Sequence, residues 1–317
     1  MSFEDKVQNY RSTFGISLRD FLNSESEKRQ IPPKLFEAMT YSLQNGGKRI
    51  RSVLCMAGAE LSGVNEISEK VLPMAIALEF FHISTIINND MPCIGNNERR
   101  LGKKSCHVMH GEALALLASG SIPLWGMKHS IEGLIKNQIP LENIINAIII
   151  FLESAGAAGT LGGQSLDINS DKSIDMEDVI ITTSMKTGDL IKASVKIGAI
   201  LAGISGEKLK SIDSYGYYLG TCFQIMDDII AMADTKCEII ENTGKEKKQE
   251  QEQIQNRKIK QDKNTFASLL GLGEARSLAE NCADKALSAL NVSYPGEGGE
   301  FLRDFALNLL NNRFFLD

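Results

Sequence analysis

The stretch VLPMAIALEFFHISTIINND, Val71 to Asp90, decides the fold. Up to residue 88 its apolar residues recur at three and four and cover nearly every side, with no alternation of the kind a half-buried strand shows. A helix apolar all round belongs inside a bundle of other helices, not on a surface. Its few polar residues are ordered. His82 and Asn89 lie seven apart, two turns along one face, with Glu79 one turn before His82 and Asp90 beside Asn89. A buried polar group costs a few kcal/mol unless it has a partner or a ligand, so this face is a candidate for chemistry.

Working outward, Leu35, Met39 and Leu43 share the helical spacing, as do segments 71–88, 111–127, 142–157, 177–204, 211–233, 272–290 and 300–314. Proline is scarce at 7 residues, and Asn-Gly occurs once, at Asn45-Gly46, outside any alternating pattern, which gives little support for hairpins. The expectation is an all-α protein. No Pro/Ser/Gly-rich linker divides the chain, and helices this apolar need one another for burial, so residues 1–317 read as one domain. The single composition break, Glu241 to Lys263, is rich in Lys, Glu and Gln and reads as a solvated excursion.

With 317 residues and 43% hydrophobic, the chain is ample for a full core. Its 34 Lys and Arg against 40 Asp and Glu give a net charge of −6, which argues against nucleic acid as a partner. Six cysteines, Cys55, Cys93, Cys106, Cys222, Cys237 and Cys282, form no CxxC pair, and a reducing, cytoplasmic compartment is expected. The start, MSFEDKVQNY, lacks the basic and apolar regions of a secretory signal. The charge-free run Ala113–Met127 is interrupted by Ser119, Gly120, Ser121 and Pro123 and falls short of the roughly 20 apolar residues of a membrane span.

Two further polar stripes accompany the first. Gln164 and Asp167 are three apart after Gly162-Gly163, and Gln224, Asp227 and Asp228 fall at i, i+3 and i+4 inside FQIMDDII, 223–230. Adjacent carboxylates in an apolar helix raise each other's proton affinity unless a cation sits beside them. Mg²⁺, which takes one or two carboxylates together with substrate phosphates, is the simplest remedy; the alternative is an acidic pair facing solvent. Cations stand in complementary places. In NGGKRIR, 45–51, two glycines precede Lys48, Arg49 and Arg51, a backbone that an anion can approach closely with three charges to meet it. Arg99, Arg100, Lys103 and Lys104 form a second cluster, and Lys186-Thr187-Gly188 adds a third. Each alone reads as a surface charge; together they suggest a cavity lined for diphosphate.

These residues resemble the trans-prenyltransferases, the polyprenyl diphosphate synthases, over most of the chain from about residue 35 to Arg313. GGKRIR at 46–51 is similar to the family's GGKRLRP, and Glu79-Phe-Phe-His82 to its E-x-x-H. Asn89-Asp-Met-Pro-Cys-Ile-Gly-Asn96 stands where the family has its first aspartate-rich motif, DDxPCMDN. Gly163-Gln164 with Asp167, Lys186-Thr187-Gly188, Phe223-Gln-Ile-Met-Asp-Asp228 and Asp262-Lys-Asn-Thr-Phe-Ala-Ser-Leu-Leu-Gly-Leu272 follow in the family's order. The resemblance implies an isoprenoid synthase-type helical bundle around a deep central cavity, usually a homodimer, with Mg²⁺ at its mouth. It implies that an allylic diphosphate ionises there, that C4 of isopentenyl diphosphate attacks the cation, and that proton loss leaves a chain five carbons longer. By the same resemblance Lys48, Arg51 and His82 hold isopentenyl diphosphate. Arg100, Lys186 with Thr187, and Gln224 serve the allylic side, and Asn89, Asp90, Asp227 and Asp228 are the metal positions.

Departures from the pattern are concentrated on the metal side. The family has aspartates at the places of Asn89, Asp90 and Gly95, a third acid at Ala231 and a second arginine at Leu101. Glu98 and Asp234 are the candidate substitutes. The resemblance therefore carries a second implication, a catalytically impaired member serving as a noncatalytic subunit of an intact synthase. Ser84 and Thr85, at the chain-length positions, are small and on the family's pattern permit a C20 or longer product; core packing alone explains small residues there equally well.

Overall fold

The protein is described here by a computed structural model covering residues 1–28, 30–169, 175–241 and 265–294, and 299–311, with the side chains of the long helix that ends at Glu241 followed as far as 233. It is helical apart from one hairpin of two-residue strands, in line with the all-α expectation. In chain order the helices are α1 (Phe3–Lys28), α2 (Pro33–Leu43), α3 (Ile50–Glu60), α4 (Ile67–Lys70), α5 (Leu72–Asp90), α6 (Cys106–His110), α7 (Glu112–Lys136) and α8 (Leu141–Ala155). Then come α9 (Thr160–Ile168), α10 (Met176–Thr183), a π-helical turn (Ser184–Gly188), α11 (Asp189–Leu201), α12 (Gly206–Glu241), α13 (Phe266–Leu270), α14 (Leu272–Ser293) and α15 (Glu300–Leu310). The polar stretch read at 241–263 lies outside the described residues apart from Glu241.

Helix ends follow local chemistry. Pro33 and Pro73 sit in first turns, where a missing N–H leaves nothing unpaired. Asp175 with Asp178 and Thr265 with Ser268 close reciprocal capping boxes at the starts of α10 and α13. Helix α7 continues through Ser119–Pro123, where the sequence suggested an interruption, and reaches Lys136. The long apolar run Leu141–Ile168 is two helices, α8 and α9, parted at Gly156–Gly159. Residues 99–104 depart from the all-helical expectation. There β1 (Arg99–Arg100) and β2 (Lys103–Lys104) pair antiparallel, Arg99 opposite Lys104 and Arg100 opposite Lys103. Their turn has φ of 49° at Leu101 and 75° at Gly102, the two positive values that a primed hairpin turn requires, supplied by Leu-Gly in place of Asn-Gly.

One apolar cluster runs from Val7 on α1 to Leu309 on α15. Its densest packing joins α5 to α7, α3 to α11, and α12 to both α11 and α14. Helices α3 and α11 cross backbone to backbone: a Cβ on Gly198 would lie 1.9 Å from the Cys55 carbonyl oxygen, and one on Gly58 2.2 Å from that of Val195. This crossing fixes the distance between the arginine-bearing start of α3 and the π-helical turn that leads into α11. The amino-terminal helix α1, for which the sequence reading made no claim, buries Val7, Tyr10, Phe14, Leu18, Phe21 and Leu22 along one side.

Candidate active site

The start of α3 is organised from α5. Arg49 enters the helix with a left-handed φ of 52° and leaves the first amides without a local cap. Glu79, buried on α5, supplies the cap through space, its Oε1 accepting from the N–H of Arg51 at 3.1 Å and of Ser52 at 3.2 Å. The three cations of this loop then divide. Arg49 donates to the Leu43 carbonyl at 2.7 Å, lies 3.7 Å from Glu79 Oε2 and covers the Phe14 ring, so it is turned into the fold, its Nη1 buried without a hydrogen-bond partner. Lys48 is half-buried, its carbonyl held by Arg11 Nε at 3.0 Å. Arg51 is 8% exposed, its Nε has no hydrogen-bond partner, and burial pulls its pKa down to about 10 against the opposing pull of Glu79.

One turn beyond Glu79, His82 is largely buried beside this cluster. Desolvation first, and then the charges of Arg51, Arg49 and Arg100, hold its pKa well below the ordinary histidine value, so the imidazole is neutral at physiological pH. Along the same face of α5, His82, Thr85, Ile86 and Asn89 all keep partial contact with solvent, although most of the helix is buried. These half-buried positions follow the polar stripe read from the sequence.

The second cluster stands on α9, the π-helical turn and α12. Gly163 lets α9 lie against the turn, since a Cβ there would be 2.3 Å from the Lys186 amide nitrogen. That approach brings Lys186 Nζ to 2.7 Å from Asp167 Oδ2. Thr187 follows in the same turn, half-buried. On α12, Gln224 Nε2 donates to Asp228 Oδ1 at 2.8 Å, and the Phe266 amide, at the start of α13, donates to Asp228 Oδ2 at 3.2 Å. Burial pushes the Asp228 pKa up to about 6, with the neighbouring Asp227 charge adding to the rise and the two hydrogen bonds and Lys186 opposing it. Asp227 is exposed. Gln164 joins the clusters, its Nε2 reaching Asn89 Oδ1 at 3.4 Å.

The end of α5 has an internal partner. Asp90, 2% exposed, accepts from Asn97 Nδ2 at 3.1 Å, from Arg100 Nε at 3.2 Å and again from the Arg100 guanidinium through its other oxygen. The loop between them folds tightly, with the Asn97 amide on the Asp90 carbonyl at 3.2 Å and the Asn96 amide on that of Met91 at 2.9 Å. At Gly95 a Cβ would lie 2.3 Å from the Asn89 carbonyl oxygen and 2.9 Å from Asn97 Nδ2.

Tested as metal ligands, the two ends differ. Asp90 has both oxygens engaged, Asn89 is neutral and bonded to Gln164, and Gly95 has neither a side chain nor space for one; this end does not fit a divalent cation. The α12 end does fit, because desolvation already disfavours the charge on half-buried Asp228, which a cation would offset, and Asp227 beside it is solvent-exposed. No group of three or more acidic, His or Cys side chains gathers around one point among the described residues. Glu98 is exposed, its backbone carbonyl accepting from the Ser105 amide at 2.8 Å, and the side chain of Asp234 lies outside the described residues. A separate cavity of about 550 Å³ between α8 and α11, lined by Glu142, Asn146, Lys196 and Ile200 among others, contains none of these side chains. Sequence reasoning did not find the contacts of Arg49, Asn97 and the Phe266 amide. For the last, Thr265-x-x-Ser268 is a capping signature that marks the helix start.

Comparison with known proteins gives a consistent picture. The family model described as "Polyprenyl synthetase" matches residues 32–265. A dimethylallyltranstransferase of Fischerella ambigua (strain UTEX 1903) is 32% identical over 296 residues, covering 90% of this chain and 81% of the relative. A heterodimeric geranylgeranyl pyrophosphate synthase large subunit 1, chloroplastic, of Arabidopsis thaliana is 30% identical over 263 residues, covering 82% and 67%. Among solved structures, an FPP/GFPP synthase from Zymomonas mobilis in its apo form superposes with a TM-score of 0.76 at 26% identity, covering 96% of this chain and 99% of that one.

Proposed function

The chain belongs to the polyprenyl synthetase family, and from that premise we propose that it is a trans-prenyltransferase condensing isopentenyl diphosphate with an allylic diphosphate to a farnesyl or geranylgeranyl product. The observation that carries the reading is the pair of polar strips on otherwise apolar helices, His82 to Asn89 on α5 and Gln224 to Asp228 on α12, with Gln164 of α9 reaching Asn89 on the first. Cations stand at the first strip, and Lys186 with a carboxylate pair able to hold a further cation stands at the second, as two diphosphate groups require.

In this reading Lys48 and the unpartnered edge of Arg51 neutralise the isopentenyl diphosphate, and neutral His82 donates a hydrogen bond without adding charge. Lys186 leaves Asp167 for the allylic diphosphate, and Gln224 orients it. The C–O bond of the allylic substrate breaks with its electron pair going to diphosphate; the alkene of isopentenyl diphosphate attacks the cation, and the resulting cation loses a proton to the departed diphosphate, restoring a double bond. The apolar residues around the α5 strip keep water from that cation. Asp227 and Asp228 would hold Mg²⁺, which when bound neutralises charge on the departing diphosphate. The α5 end takes no part in that.

A second copy of the chain is the partner in the same reading. On α8, Leu141, Ile145, Ile149 and Leu152 form an exposed apolar row on the side opposite buried Ile144, Ala147 and Phe151, and Leu116, Leu117 and Leu124 are exposed on α7. A homodimer covers such rows; an intact synthase subunit is the heteromeric counterpart. One polyprenyl synthase-like domain and a cytoplasmic location complete the reading.

Product formation from isopentenyl diphosphate with dimethylallyl, geranyl or farnesyl diphosphate at saturating Mg²⁺ tests it. Turnover above background, abolished by Asp227→Asn, supports the enzyme. Background rates with isopentenyl diphosphate still bound refute it and leave a noncatalytic subunit.

A further inference from the structure

Of the three cations at 45–51, Arg49 is turned inward to Leu43 and Glu79, which leaves Lys48 and Arg51 for an anion, and Leu101, 65% exposed at the tip of the hairpin, contributes no charge. Two residues past that tip, on β2, Lys103 Nζ lies 3.2 Å from the side-chain oxygen of Asn45. Asn45 directly precedes Gly46 and Gly47, whose φ values are 87° and 114° and above which a Cβ would meet nothing within 4 Å. Open space over two glycines is where an anion reaches main-chain N–H groups. The hairpin is fixed beside that space. Arg100, directly across from Lys103, is anchored on buried Asp90; Tyr41 Oη donates to the Lys104 carbonyl at 2.7 Å; the Ser105 amide closes on Glu98 at 2.8 Å. Lys103 forms no ion pair with a carboxylate among the described residues, so its charge is held in place by a neutral amide and is available.

We propose that Lys103 is a diphosphate-binding residue for isopentenyl diphosphate, supplying from the hairpin strand the cation that Leu101 lacks. The inference rests on the function proposed above. On binding, the ammonium exchanges the Asn45 oxygen for a diphosphate oxygen, trading a neutral acceptor for a charged one. The Asp90–Arg100 contact then has a purpose other than metal binding: it sets the strand register that aims Lys103 at the loop.

Titration calorimetry of isopentenyl diphosphate, and of inorganic pyrophosphate as a tail-free probe, into the full chain tests this. Lys103→Gln is expected to weaken both by about tenfold at low salt, with the difference shrinking as salt rises. Lys103→Arg is expected to stay within about twofold, and Lys136→Gln, a remote exposed charge, to leave both unchanged. In turnover the Lys103→Gln loss is expected in KM for isopentenyl diphosphate, with kcat preserved. Lys103 is exposed, so its replacement leaves the fold intact. Native-like affinity in Lys103→Gln, while Lys48→Gln loses it, overturns the proposal and leaves the function standing. Equal losses in Lys103→Gln and Lys136→Gln reduce it to bulk charge and overturn it as well. A native chain that binds neither probe overturns both.

Discussion

Replacing Gly95 by aspartate restores one family acid on paper, and the structure predicts that it damages the protein without repairing it. The added Cβ would sit 2.3 Å from the Asn89 carbonyl oxygen, a backbone atom at the end of α5 that cannot rotate away. It would also press on Asn97 Nδ2 at 2.9 Å, the group that donates to Asp90. Overpacking of this kind costs about 1–3 kcal/mol. For 317 residues the unfolding entropy is about 0.7 kcal/mol/K, so the loss corresponds to a fall in Tm of about 2–4 °C. Gly95→Ala separates sterics from charge, since it carries the same Cβ and no carboxylate. Melting curves of native, Gly95→Ala and Gly95→Asp protein should show both variants lowered, the aspartate further because it adds a like charge near Asp90. Calorimetry with Mg²⁺ should show no new site. A Gly95→Asp protein with native Tm and a gained Mg²⁺ site would refute the claim that this loop has closed against metal.

Three further outcomes follow from other contacts. Glu79→Gln should lower Tm by about 3–4 °C, the equivalent of about 2–3 kcal/mol for charged hydrogen bonds to two helix-start amides, and raise KM for isopentenyl diphosphate because Arg51 is no longer oriented; an unchanged melt would show that the cap is idle. The His82 pKa is depressed in the folded chain, so only the unfolded chain takes up this proton as pH falls through about 6.5; stability present above that pH is lost below it, and the Tm of native protein should drop more between pH 7 and 5 than that of His82→Gln. Ile145→Glu with Leu152→Glu, both on the exposed row of α8, should convert the proposed dimer to a monomer by light scattering on a sizing column, and a double variant that stays dimeric would place the interface elsewhere.

The helical architecture was legible wherever burial imposes a period. Val71–Asp90 announced itself because a central helix must be apolar on every side, and its one polar face marked the half-buried positions. Helix α1 carried the same kind of signal, with Val7, Tyr10, Phe14, Leu18 and Phe21 at three and four, but among many polar residues it does not stand out as a core helix does. What periodicity does not encode is pairing through space. Glu79 read as a polar residue one turn before His82, whereas its partners are amides 27 and 28 residues away in sequence. By spacing Lys48, Arg49 and Arg51 are three cations beside two glycines, whereas in the structure Arg49, which enters α3 with a left-handed φ, reaches inward to Leu43 and Glu79. The hairpin escaped notice because its turn is Leu101-Gly102.

The departures at Asn89 and Gly95 change the local electrostatics less than a count of missing acids suggests. Two carboxylates and the dication they hold sum to zero charge, and so do an asparagine and a glycine. Asp90, the acid that remains, is cancelled by Arg100 at contact, so the α5 end presents a near-neutral wall to the substrate. Positive charge for the two diphosphates must then come from elsewhere: Lys48, Arg51 and Lys103 on the isopentenyl side, Lys186 and whatever cation Asp227 and Asp228 hold on the allylic side. What is lost is direction, because a metal bridging protein and diphosphate fixes the leaving oxygen, whereas lysine is a point charge on a flexible stem. Slower ionisation and a weaker dependence on Mg²⁺ concentration than in a synthase with both acidic motifs are the joint expectation. Steep, multi-ion Mg²⁺ dependence of the rate would mean that the loop around Gly95 reopens when substrate binds.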